Sequence, residues 1–186
     1  MSGPENQTPR SPAAARQAHD PLVRGSMQVV AHPLDHPRWP LLVYPAVRTE
    51  KITPEFFEEL FTRHRWPAAW RNGVFSFHHY HSNSHEALGV YEGEVTVQFG
   101  GQEGKMSGVT VTAKPGDVIV LPAGTGHKKI SSRGALGIVG AYPEGSNPDT
   151  CRGLSKTSSQ VPLPACDPVY GPGGPLFTYW LPPAGR

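Results

Sequence analysis

Two cysteines in 186 residues, Cys151 and Cys166, cannot build a disulfide framework, and both fall in a Pro-rich C-terminal stretch, so free thiols are expected. No apolar run reaches the roughly 18 residues that a membrane-spanning helix needs, and no basic start followed by an apolar stretch marks a secretory leader. A cytoplasmic protein without a membrane partner is the resulting expectation. Charge is sparse and balanced, with 17 basic and 15 acidic side chains and a formal net charge of +2. That leaves no electrostatic footprint for nucleic acid, and the run Arg63, Arg65, Arg71 reads as a solvated rim rather than a phosphate patch. No nucleophile elbow and no Gly-rich phosphate loop accompanies the Ser, His and Asp residues present.

What the chain does have is punctuation: 21 glycines and 21 prolines divide it into short elements. Its length suits one compact domain with extensions. Residues 1–25 are rich in Pro, Ala, Ser and Gln, with few large apolar side chains, and read as a disordered arm. Residues 26–145 hold the folded body. Within it, MQVVAHPL and PLLVYPAV, between Met27 and Val47, look like proline-interrupted strands suited to sheet edges. Thr53-Pro54-Glu55 is a helix start, with Thr as N-cap, Pro at the first helical position and an acid in the first turn. Phe56, Phe57, Leu60 and Phe61 then form one apolar stripe for packing. Serial strands follow: Val95 to Phe99 in alternation, Val109 to Ala113, Val118 to Leu121 apolar on both faces, and Leu136 to Tyr142, with a turn at Lys114-Pro115-Gly116-Asp117. Residues 146–186, Pro- and Gly-rich but carrying Leu, Tyr, Phe and Trp, should pack on that body as a sealing tail.

Two stretches carry chemistry. In GVFSFHHYHSNSHEALGVYEG, from Gly73 to Gly93, His79 and His81 lie two apart and Glu86 five further on; in GDVIVLPAGTGH, from Gly116, the last residue is His127. Three imidazoles and a carboxylate each bring a lone pair and together suit a borderline divalent transition metal. If residues 75–81 form a strand, Phe75, Phe77, His79 and His81 share a face, while Ser76, His78 and Tyr80 point the other way, which makes His78 a bystander. After a polar turn at Ser82, Asn83 and Ser84, a strand begins at Glu86 and closes at Gly93, letting Glu86 swing toward the histidine pair. His85, next to Glu86, is the alternative ligand or a supporting partner. His19, His32, His36 and His64 sit in loop-like or helical context and are expected to be solvated.

Gly73, His79-Tyr80-His81, Glu86 and Gly93 resemble the first motif of the cupin superfamily with every spacing met. Gly116, Pro122, Gly124 and His127 resemble the second, with Ser131 standing where many members have Asn. HHYHSNSHE, GHKKI and IVGAYPEG are similar to small single-domain cupins. The resemblance implies an all-β fold, a double-stranded β-helix (the RmlC-like jelly roll), here with a short N-terminal helix and extended termini. It also implies that His79, His81, Glu86 and His127 hold one metal ion inside the barrel, Fe(II) being favoured and Mn(II), Ni(II) or Zn(II) open, with Glu86 the candidate catalytic residue. Cupin-like domains commonly pair through sheet edges, so a homodimer is expected. Three activities stay open on the residues: a dioxygenase-type oxidoreductase acting on a small oxygenated metabolite, an isomerase or cyclase, and a small-molecule-binding module without turnover. The resemblance favours the first.

Overall fold

Side-chain alternation on two short strands explains how this chain builds two cores. In the computed structural model, which describes residues 20–25, 28–34, 36, 38–101, 108–153 and 160–181, seven strands and two helices follow one another. They are β1 (Val30–His32), β2 (Leu41–Tyr44), α1 (Pro54–Arg63), β3 (Ala68–Asn72), β4 (Glu86–Phe99), β5 (Val109–Ala113), β6 (Val118–Leu121), β7 (His127–Ala141) and α2 (Pro175–Trp180). On β2, Leu41 and Val43 enter one apolar cluster while Leu42 and Tyr44 enter another; on β6, Ile119 and Leu121 part from Val118 and Val120 in the same way. The expectation that Val118 to Leu121 is apolar on both faces holds, all four being buried. One cluster, with Leu88, Val90, Val95, Val97, Phe99 and Ile138, fills the barrel interior. The other lies between the sheet, α1 and the C-terminal residues.

All pairings are antiparallel, in the order β1-β2-β6-β4-β7-β3 with β5 against β4. The first half of β4 pairs β6 and its second half pairs β5, while β7 runs along its whole length from Ala87↔Ala141 to Phe99↔His127. Such a shared, bent pair belongs to a jelly roll, and the fold is all-β with a short helix, as the motifs implied. Gly93 corrects one detail. It does not close a strand; it kinks a continuous one, at φ 71°, where the ladder shifts register between Glu92 and Glu94. A Cβ there would lie 2.0 Å from the Ala135 carbonyl oxygen, so only glycine fits.

Helix α1 forms as expected. The Thr53 hydroxyl accepts from the Phe56 amide at 3.3 Å, Pro54 opens the helix, and Phe56, Phe57, Leu60 and Phe61 are buried. Phe57 lies against Gly89 on β4, where a Cβ would come within 2.5 Å of its ring. Arg63, Arg65 and Arg71 are exposed and paired with Glu59, Glu144 and Glu58, which agrees with a solvated rim.

Three expectations need correction. Residues 1–19 lie outside the described residues, but the arm's last stretch is packed: Asp20 and Val23 are buried, and Asp20 reaches His64 Nε2 at 2.9 Å. His64 is accordingly buried rather than solvated, its Nδ1 facing the Pro168 carbonyl at 2.9 Å. His36 is half-buried, with Nδ1 accepting from the Trp39 amide at 2.9 Å and Nε2 facing the Ala123 carbonyl. In each case at least one partner comes from a segment remote in sequence. His19 lies outside the described residues, and His32 is half-buried on β1.

The C-terminal residues enter the second core through Val169, Leu176 and Trp180, the last two on α2, which the sequence pattern did not announce. Asp167 organises this turn from the inside: its carboxylate accepts from the Val169, Tyr170 and Leu176 amides and from the Tyr44 hydroxyl. Both cysteines are free, Cys166 buried and Cys151 half-buried. Among the described residues no helix is long and apolar enough to cross a membrane.

Candidate metal centre

The stretch that carries the paired histidines is not the regular strand the alternation suggested. Only His79 and Tyr80 make ladder contacts, as isolated bridges to His127 and Cys151. Ring packing takes the place of a ladder: Phe75 stacks on Phe77 with centroids 4.7 Å apart, and both meet His79 edge-on. Phe75 remains 48% exposed. The shared face therefore survives without the strand.

Backbone bonds weld the two motifs. His79 and His127 exchange both amide bonds, at 2.8 and 3.1 Å, and the Gly124 amide donates to the His81 carbonyl at 2.7 Å. Gly124 adopts φ 84°, a left-handed conformation that suits glycine. Glu86 opens β4 opposite Leu121, and its parity with Leu88 and Val90 turns it into the barrel interior. The result is a cluster in which His79, His81 and His127, all buried, offer ligand atoms within 4.8 Å of one another. Glu86 Oε2 lies 3.3 Å from His127 Nε2 and 3.6 Å from His81 Nε2.

Each imidazole is held from behind. His79 Nδ1 faces the Phe77 carbonyl, His127 Nδ1 the Thr125 carbonyl, and His81 Nδ1 the Asp149 carbonyl. A carbonyl can only accept, so each Nδ1 carries a proton and Nε2 is the atom each ring turns toward the cluster. Behind His81, the Asp149 carboxylate grips the Ser82 amide and hydroxyl, and these bonds hold it below the usual carboxylate range although partial burial pushes it up. Burial, reinforced by the neighbouring His127, pulls His79 down to about 4, so it is neutral at physiological pH. For His81 burial acts in the same direction, but the hydrogen bond and charge of Glu86 outweigh it and raise the imidazole. Burial alone would raise Glu86; hydrogen bonding to His127 and His81 instead holds it far below the ordinary carboxylate range.

These opposed shifts have one cause. A fully buried carboxylate faces two imidazole nitrogens, and its Oε2 contacts, at 3.3 and 3.6 Å, are too long or misaligned to satisfy it. Positive charge at this point would relieve both, and a divalent cation supplies it while using the three Nε2 lone pairs. The donor set fits a metal ion.

His85 does not belong to this set. Its Nδ1 accepts from the Ala123 amide at 2.9 Å and its Nε2 faces the Pro162 carbonyl at 3.0 Å, so neither nitrogen is free to ligate. Its ring packs between Trp39 and Trp180. His85 thus ties the loop before Glu86 to the second motif and to the C-terminal segment. His78 stays apart as well, buried, with Nε2 facing the Gly100 carbonyl.

Burial pulls His85 down to about 4, against about 6.5 for a free imidazole. Between those values the unfolded chain binds the extra proton and the folded chain does not, so stability is complete above 6.5 and falls as pH drops toward 4. Urea unfolding of the metal-free protein at about pH 7 and about pH 4.5 checks this: the wild type should lose on the order of 2 kcal/mol more than His85→Gln.

The cluster opens into a cavity of about 270 Å³, lined by Trp70, Phe75, Leu88, Tyr142 and Thr150 among others. That is the small end of the ligand-pocket range, suited to a small metabolite. Tyr142, Trp70 and Asp149 are site residues that sequence reasoning missed. Tyr142 does fall inside the IVGAYPEG signature, but no spacing rule marks it as facing the histidines.

Residues 70–151 match the family model described as Cupin. Over 155 residues the chain is 39% identical to the uncharacterized protein YjlB of Bacillus subtilis, spanning 79% of this chain and 89% of that one. Two solved structures are also similar. A DUF861-family protein from Thermotoga maritima is 26% identical over 49% of this chain and 92% of its own, with a TM-score of 0.30. RmlC from Streptococcus suis, crystallised with dTDP-D-xylose, is 14% identical over 64% and 72%, with a TM-score of 0.37. The protein belongs to the cupin family.

Proposed function

We propose that the protein is a metal-dependent enzyme acting on a small oxygenated metabolite, most simply as a dioxygenase-type oxidoreductase. The observation that carries this reading is the convergence of three backbone-oriented imidazoles and a buried, unsatisfied Glu86 oxygen on one cavity. A purely structural site would be closed on all sides, whereas this one faces open space. Bound there, a divalent ion supplies Lewis acidity and, if it is iron, access to dioxygen chemistry. The chain contributes the rest: His79, His81, His127 and Glu86 as the holding set, the Phe77, Thr125 and Asp149 carbonyls as orienting acceptors, and Phe75, Leu88 and Val74 as an apolar lining that limits water.

The test is reconstitution of the metal-free protein with Fe(II), Mn(II), Ni(II) or Zn(II), followed by oxygen uptake against a panel of metabolites carrying a hydroxyl beside a carbonyl. Uptake confined to the iron form and abolished in His127→Ala is the expected result. Equal conversion by the zinc form under strict anaerobiosis would reassign the site to an isomerase or cyclase. No conversion in any form would leave a binding module.

A further inference from the structure

Tyr142 closes the cavity beside His81, and its hydrogen-bonding capacity is only half used by the protein. The indole of Trp70, which can only donate, gives its N–H to the Tyr142 hydroxyl at 3.1 Å. That contact occupies a lone pair on the phenol oxygen and directs its proton away from β3, toward the cluster. There it meets two acceptors, His81 Nε2 at 3.5 Å, a long and weak contact, and the Glu86 carboxylate. His81 Nδ1 is already committed to the Asp149 carbonyl, so Nε2 is the atom that would face an ion. An ion held by His81 Nε2 and Glu86 would draw on both acceptors and leave the Tyr142 proton for another oxygen at the cavity wall, the residue being 8% exposed. A buried donor without a partner is costly.

We propose that Tyr142 is the hydrogen-bond donor for a substrate oxygen seated beside the metal cluster, and that the substrate class is a small metabolite presenting an anionic oxygen there, an enolate, alkoxide or carboxylate. The inference rests on the metal-centre reading above. Trp70 is a positioning residue: it holds the phenol oxygen and leaves the proton only one useful direction. Of the rest of the lining, Val74, Phe75 and Leu88 are apolar, Asn72 and Thr150 are polar but uncharged, and none of the described lining residues is Lys or Arg. An incoming negative charge would thus be met by the ion and by Tyr142, and by no competing side-chain cation.

The test uses the full chain loaded with Co(II), whose visible spectrum reports binding, and oxalate as the probe. In Tyr142→Phe the ring and its edge contact with His81 are kept, so Co(II) affinity and melting temperature should match the wild type. Oxalate affinity should fall about 10-fold or more, the size of a hydrogen bond to a charged group. Trp70→Phe should weaken oxalate by a smaller factor without displacing Co(II). Unchanged oxalate affinity in Tyr142→Phe would overturn the proposal, and so would loss of Co(II) together with oxalate, which would make Tyr142 part of the metal holding set. A wild type that takes Co(II) but no oxalate would overturn the oxyanion class while leaving the metal centre intact. A wild type that takes no Co(II) would overturn the metal-centre reading and this inference with it.

Discussion

Replacement of Trp180 by Ala is expected to lower folding stability by about 3–5 kcal/mol, the cost of emptying a large aromatic site in a core. The residue is 1% exposed, stacks on Trp39 with centroids 5.2 Å apart, and packs on His85 at 4.9 Å. Its indole donates to the Pro40 carbonyl at 3.0 Å, and its own carbonyl accepts from the Trp39 indole at 2.6 Å. Truncation removes the packing and strands the Pro40 acceptor, so two penalties combine. Because His85, which packs on Trp180, is the residue before Glu86, the loss should also loosen the cluster. Urea unfolding of the purified variant checks the first effect; a change below about 1 kcal/mol would show that the C-terminal segment is not part of the core.

His127→Ala should abolish tight metal binding. His127 faces every other member of the cluster: its ring centroid lies 4.1 Å from that of His79 and 6.0 Å from that of His81, its Nε2 lies 3.3 Å from Glu86, and its backbone pairs with His79. His127 is one of the three imidazoles that could hold an ion, so its loss removes a lone pair from that set. His78→Ala serves as the control, since its Nε2 faces the Gly100 carbonyl and the residue stands outside the cluster. His85→Ala should lower stability more than metal content, because its nitrogens serve Ala123 and Pro162. Elemental analysis of the three purified variants separates these outcomes.

Much of this was legible in the residues, for reasons that differ by element. Apolar alternation on β2 and β6 reports burial directly, and Thr53-Pro54 announces α1 through a cap whose chemistry is local. The motif spacing drew attention to His79, His81, Glu86 and His127, which the fold does bring together. What escaped depended on partners far along the chain. His64 looks like a solvated helix-end histidine until Asp20 and Pro168 arrive to enclose it. Residues 75–81 alternate like a strand, yet stacking of Phe75, Phe77 and His79 takes the place of a ladder. Asp149 and Tyr142 reach the site from the end of β7 and the loop beyond it, at distances in sequence that no local pattern encodes. His85 passed for a ligand because adjacency to Glu86 is visible in sequence, whereas the acceptors and donors that occupy its nitrogens are not.

The central claim is that one ion binds where the three Nε2 atoms and the Glu86 carboxylate meet. Metal titration of the metal-free full chain by isothermal calorimetry, run in parallel on wild type and Glu86→Gln, tests it most directly. The expected result is a single tight site per chain in the wild type and an affinity roughly 10- to 100-fold weaker in Glu86→Gln. Equal affinity in the two proteins, or no saturable binding in the wild type, would contradict the account.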